Sequence, residues 1–140
     1  MNFEMTAIGL ASYQNALRKI DEIPQEVLLE MVDSKAEIIE DATVYTAGTD
    51  LQGPYYEGAV AASVKRSKPR KNKRKGPYAD IKFVGYQHGN RLGEIAFVNE
   101  YGKKNQPARP FIRRALEDSK EASTAAAARV LFDWQEKQGL

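Results

Sequence analysis

Ile95-Ala-Phe-Val-Asn-Glu-Tyr-Gly-Lys-Lys-Asn-Gln-Pro-Ala-Arg-Pro-Phe-Ile-Arg-Arg-Ala-Leu116 carries an apolar run through a sharply punctuated connector into a second apolar segment. Residues Ile95 to Tyr101 are of types that suit a pleated, half-buried surface, so composition predicts a strand that ends at Tyr101. Gly102 supplies the backbone freedom to leave it. Pro107 and Pro110 prevent the strand from continuing. Proline is tolerated in the first turn of a helix, where its missing N–H would lack a partner anyway, so Pro110 opens a predicted helix that buries Phe111 and Ala115. Arg109 stands at that entrance. Glu100 and Arg109 are placed to pair across the connector and fix the angle between sheet and helix. The plainer alternative is two independent surface charges, since exposed pairs contribute little.

Upstream of this stretch, Asn2 to Ile8 reads as a short strand ended by Gly9. Leu10, Tyr13, Leu17 and Ile20 recur at helical spacing, and Asp21 to Pro24 interrupts them. Pro24 starts a longer helix whose apolar stripe is Val27, Leu28, Met31, Val32, Ile38, Ile39, Ala42 and Tyr45. A connector covers Gly48 to Gly58. Strands are predicted over Ala59–Lys65 and, from its period of two, over Tyr78–Tyr86. A Gly/Asn-rich turn spans Gln87–Gly93, and Glu94–Tyr101 closes an antiparallel meander. From Pro110 to about Lys137 the last helix presents Phe111, Ala115, Ala122, Ala126, Val130 and Trp134 on one face. The expectation is one α+β domain over residues 1–140. It has a small antiparallel sheet of three to four strands packed with two long helices, one N-terminal and one C-terminal.

At 140 residues the chain is long enough for one real core. It has no cysteine, which excludes disulfides, thiolate metal sites and a cysteine nucleophile. No apolar run approaches the roughly 20 residues that span a bilayer, and the N-terminus lacks the pattern of a signal peptide, so no membrane is expected among its partners. The formal charge of +2 conceals an asymmetry. Lys65, Arg66, Lys68, Arg70, Lys71, Lys73, Arg74 and Lys75 place eight basic residues within eleven positions, leaving 13 basic against 19 acidic residues elsewhere. Residues 65–76 are therefore expected as a flexible, extended, salt-sensitive basic hairpin loop on an acidic body.

That loop admits two readings. It is a possible contact for DNA or a protein partner, because neutralised phosphates release counterions and give salt-sensitive, sequence-independent affinity. Tyr55, Tyr56 and Tyr78 flank it and could stack on bases. The other reading is a solvated loop with tyrosines packed at strand ends. For metal or nuclease chemistry the residues to weigh are Asp80, His88, Glu94 and Glu100, with Lys103 or Lys104 nearby. Such a site needs carboxylates that converge on one divalent ion. Asp80 and Glu94 fall on separate predicted strands without an acidic neighbour, and His88 sits in a glycine-rich turn. No catalytic residue, metal ligand or cofactor is expected, and the chain reads as a non-enzyme.

The pattern Phe97-Val-Asn-Glu-Tyr-Gly102, followed by Ala108-Arg-Pro-Phe111 and Ala115-Leu116, resembles the small neck or tail-completion proteins of long-tailed bacteriophages and prophages. In that family a strand ends in an acidic-aromatic-glycine turn, and a proline-phenylalanine pair starts the C-terminal helix. Glu100, Tyr101, Gly102, Arg109, Pro110 and Phe111 match this motif. The resemblance implies a structural virion protein, made in the host bacterial cytoplasm, that joins head to tail at the neck as part of a homo-oligomeric ring. Neighbouring neck, head-closure and tail proteins would be its partners, with possible non-specific contact to phage DNA. The alternative is a non-specific nucleic-acid-binding module that uses the basic loop 65–75.

Overall fold

The computed structural model of the chain describes residues 23–53, 57–74 and 76–139. The strand expected over 2–8, the short helix over 10–20, and Tyr55, Tyr56 and Lys75 lie outside the described residues. The architecture is α+β, dominated by two long helices packed on each other, α1 (Gln25–Asp50) and α4 (Phe111–Lys137). Between them the chain forms a short helix α2 (Ala59–Ser63), strands β1 (Val64–Arg66), β2 (Arg70–Asn72), β3 (Gly76–Tyr78), β4 (Ile81–Phe83), β5 (Tyr86–Gln87) and β6 (Asn90–Arg91), and helix α3 (Leu92–Tyr101).

Both long helices begin where proline predicts. Pro24 and Pro110 occupy the N-cap positions, and the Pro24 carbonyl accepts from the Val27 and Leu28 amides at 3.1 and 3.2 Å. The helices meet through small residues. Ala36, Thr43, Thr46 and Ala47 of α1 and Ala115, Ser119 and Ser123 of α4 are all buried. Thr43 Oγ1 donates to the Ile39 carbonyl at 2.7 Å, and Ser119 Oγ to the Ala115 carbonyl at 2.6 Å. Hydroxyls satisfied by their own helix behave as small packing groups and allow close backbone approach. Thr46 Oγ1 also reaches across, donating to the Phe111 carbonyl at 2.9 Å. Of the apolar stripes read from sequence, Val27, Phe111 and Ala115 are buried, whereas Tyr45, 65% exposed, and Ala122 face solvent.

The core gathers Ala47, Leu51, Val60, Leu92, Ala96 and Phe111, with Phe83, Ile95 and Ile112 packed against it. Phe111 is fully buried and meets Phe83 edge-on, ring centroids 5.8 Å apart. This contact joins the base of the β-structure to the start of α4.

Three sequence expectations are corrected. The strand predicted over Glu94–Tyr101 is helix α3, which buries Leu92, Ala96, Asn99 and Glu100. That spacing is helical, and the period overrides the β-propensity of Ile95, Phe97, Val98 and Tyr101. Ala59–Ser63 is likewise helical, with strand beginning only at Val64, because an alanine-rich run after Gly58 favours a helical turn. The antiparallel pairing is divided among three two-stranded ladders, β1–β4, β2–β3 and β5–β6, so there is no continuous meander among the described residues. His88 and Gly89, at φ 49° and 82°, form the two-residue turn between β5 and β6.

Candidate interaction surfaces around the α3–α4 junction and the basic hairpin

Residues 99–113 form a tightly bonded junction between α3 and α4. Gly102 ends α3 at φ 77° and ψ 176°, a region essentially closed to residues with a side chain. Space is closed too, for a Cβ there would lie 2.8 Å from the Ala108 nitrogen and 2.9 Å from the Gln106 oxygen. Lys103 and Gln106 exchange backbone hydrogen bonds at 3.0 and 2.9 Å, narrowing the loop. This returns the chain so that α4 starts beside the end of α3.

Glu100 uses that proximity. Only 9% exposed, its carboxylate accepts from the Ile112 amide at 2.8 Å and the Arg113 amide at 3.1 Å. These are amides of the first turn of α4, which have no partner within their own helix. A carboxylate there satisfies two donors and stands at the positive end of the helix dipole. Arg109 does not pair with Glu100. Its Nη2 donates to Asn99 Oδ1 at 2.9 Å, its Nη1 to the Gln52 carbonyl at 3.1 Å, and its backbone N–H to the Asn99 carbonyl at 2.6 Å. The expected Glu100–Arg109 pair is therefore replaced by two adjoining contacts. Glu100 fixes α4 to α3, and Arg109 fixes the connector to Asn99 and to the end of α1. Arg114 adds an ion pair with Asp50, at the other side of that same end. Sequence reading missed Asn99, whose only signal was a polar residue within an apolar helical face.

Beside the junction lies an open apolar surface. Phe97 and Tyr101 are 62% and 69% exposed, with rings tilted against each other at 4.8 Å. Val84, Tyr86 and Leu116 are also exposed. Two adjoining hollows of about 750 and 620 Å³ share Phe83, Gly93 and Phe97 in their walls. The first extends toward Tyr86, and the second toward Tyr101 and Leu116.

The basic run is not a loop between strands, because it forms strands of its own. In the base ladder Val64 faces Phe83, Lys65 faces Lys82 and Arg66 faces Ile81. In the outer ladder Arg70 faces Tyr78, Lys71 faces Pro77 and Asn72 faces Gly76. Residues 67–69 stand against 79–80 between the ladders, a one-residue bulge that accommodates Pro69, which has no N–H to give. Ser67 and Asp80 bridge it, with Ser67 N–H to the Asp80 carbonyl at 2.8 Å and Asp80 N–H to Ser67 Oγ at 2.9 Å.

Two of the basic side chains are engaged within the fold. Arg66 Nε donates to Asp33 of α1 at 3.1 Å, with Glu40 at 3.6 Å, and the Asp33 hydrogen bond raises its pKa above the ordinary guanidinium value. Arg70 pairs with Asp80 at 2.8 Å and lies 5.2 Å from the centre of the Tyr78 ring. Lys65, Lys68, Lys71, Lys73 and Arg74 are exposed and have no carboxylate partner among the described residues.

The residues weighed for metal chemistry are dispersed. Asp80 is held by Arg70, Glu94 by Arg91 at 3.4 Å, and Glu100 by α4. His88 approaches Glu57 at 3.3 Å on the surface. Glu94 is on α3, not on a strand. Among the described residues no group of three or more His, Asp or Glu is placed to hold a metal ion, and no helix is long and apolar enough to cross a membrane. No family model, curated protein or solved structure matches the chain.

Proposed function

We propose that this chain is a structural virion protein of a tailed phage or prophage, acting at the neck in head–tail joining or tail completion as part of an oligomeric ring. Its work on this reading is assembly, without turnover. The observation that carries the proposal is the open apolar surface set on the α3–α4 junction. Exposed apolar side chains in one contiguous patch mark interaction sites far more often than scattered ones do. Phe97, Tyr101 and Leu116 project from helices held at a fixed angle by Glu100, Arg109 and Gly102, so the patch is presented in one geometry. The six residues that carry the resemblance, Glu100, Tyr101, Gly102, Arg109, Pro110 and Phe111, lie in this junction, where the segment before Gly102 is helix α3 and not the strand that the resemblance implies.

On this reading a second copy or a neighbouring neck protein covers the patch. Burying a large apolar side chain contributes about 1.5–3 kcal/mol, so covering Phe97, Tyr101 and Leu116 favours association against the freedom lost on joining. The test is to fractionate heads, tails and complete virions on a gradient and quantify the chain in each. A small fixed copy number in neck-bearing particles is expected. Absence from every particle sinks the proposal.

A further inference from the structure

We propose that the outward face of the hairpin Val64–Phe83 binds the sugar-phosphate backbone of nucleic acid without regard to base sequence. This inference does not rest on the neck reading, and either can fail alone.

The hairpin carries nine basic residues and a single acidic one, Asp80, which Arg70 already occupies. The fold sorts these charges by task. Arg66 is turned to Asp33 and Glu40 and ties the hairpin base to α1, while Arg70 spans the bulge to Asp80. The remaining described cations are directed to solvent. Lys65 and Lys82 stand directly opposite each other in the base ladder, both exposed. Like charges at such positions destabilise an antiparallel pair, so the fold itself gains nothing from them. A polyanion lying across the ladder reverses that sign. Lys82 was invisible to the sequence reading, which ended the basic run at Lys75; only the register brings it beside Lys65.

The composition of this face chooses among partners. Among the described residues, its cations without a carboxylate partner are, apart from Arg74, all lysines, namely Lys65, Lys68, Lys71, Lys73 and Lys82. Protein interfaces are depleted in lysine at their centres and depend on buried aromatic or aliphatic anchors. Phosphate backbones need no such anchors, because lysine and arginine that neutralise phosphates gain affinity from the release of condensed counterions. An acidic protein face, such as the exposed Glu26, Glu30, Glu37 and Asp41 of α1 in a second copy, is the competing occupant.

The experiment is fluorescence anisotropy of a short, labelled, random-sequence DNA duplex titrated with the full chain at several salt concentrations. Six engaged cations give a log–log slope of about −5, so affinity falls roughly a thousandfold between 50 and 200 mM salt. Changing Lys65→Ser and Lys82→Ser together reduces the slope by about 2, because two phosphate contacts are lost. The same pair of changes leaves the thermal midpoint unchanged or raises it, which separates lost binding from lost folding. Lys103→Ser with Lys104→Ser, exposed cations away from the hairpin, leaves binding as it was. No binding at low salt, binding indifferent to salt, or binding unaltered in the Lys65/Lys82 variant overturns the proposal. So does a variant that binds DNA normally but loses self-association in sedimentation velocity, which would assign the hairpin to the acidic helix of a second copy.

Discussion

Replacing Glu100 by alanine should destabilise the chain far more than replacing any exposed glutamate, because Glu100 is the N-terminal cap of α4 delivered from another helix. It accepts from two backbone amides, at 2.8 and 3.1 Å, while only 9% exposed. Losing an ordinary cap costs about 1 kcal/mol, a hydrogen bond to a charged group contributes about 1.5–3 kcal/mol, and favourable placement in the dipole adds up to about 2 kcal/mol. These terms overlap, and water can reach the amides once the side chain is gone. A net loss of about 2–4 kcal/mol follows for Glu100→Ala. Glu100→Gln retains an acceptor but not the charge, and should lose about 1–1.5 kcal/mol. The assay is urea unfolding followed by circular dichroism at constant m. With an unfolding entropy of about 2.1 cal/mol/K per residue, a 3 kcal/mol loss in a chain of 140 residues lowers the midpoint by roughly 10 °C. Glu117→Ala is the reference, since its pair with Arg113 is exposed and such pairs contribute at most about 1 kcal/mol. A Glu100→Ala change no larger than that of Glu117→Ala would falsify the capping account.

Two further outcomes follow from the same geometry. Gly102→Ala places a Cβ 2.8–2.9 Å from backbone atoms at φ 77°, and should cost about 2 kcal/mol or more; a thermal midpoint within a degree or two of wild type would show that the junction yields freely. The Glu57 carboxyl is held below its ordinary 4.5 by the hydrogen bond from Gln87 first and by His88 second. A group with a depressed folded pKa contributes stability above its unfolded pKa, and that contribution disappears as pH falls through the folded value. An NMR titration of Glu57 should therefore have its midpoint below 4.5 and move up in Gln87→Ala; an unmoved midpoint would remove Gln87 as the cause.

The two expectations that held most closely rest on proline. Pro24 and Pro110 mark helix starts through a local steric rule, and the predicted end near Lys137 coincides with the end of α4. Residues 94–101 are helical and not the expected strand, because the helical period of their buried positions outranks residue preference. Leu92, Ala96, Asn99 and Glu100 repeat at helical spacing, but Asn99 and Glu100 are polar and did not register as buried. The long helices bury Val27, Phe111 and Ala115 of the expected stripes, and polar residues outside them as well. Thr43, Thr46, Ser119 and Ser123 stand outside the apolar stripes read from sequence, yet they are buried, because their hydroxyls bond to carbonyls of their own or the facing helix and leave only small volumes to bury.

The sequence by itself determined where the long helices begin, that the connector at Gly102 to Pro110 must turn, and that a dense positive charge lies between residues 65 and 75. These follow from backbone sterics and composition, which act over a few residues. Only the tertiary structure decided that Glu100 caps α4, that Arg109 answers to Asn99 and Gln52, and that Lys82 joins Lys65 while Arg66 and Arg70 are withdrawn. The unpaired amides of a helix start, a cross-strand register and a buried carboxylate acquire partners only after packing has brought distant segments within about 3 Å, the range over which hydrogen bonds form.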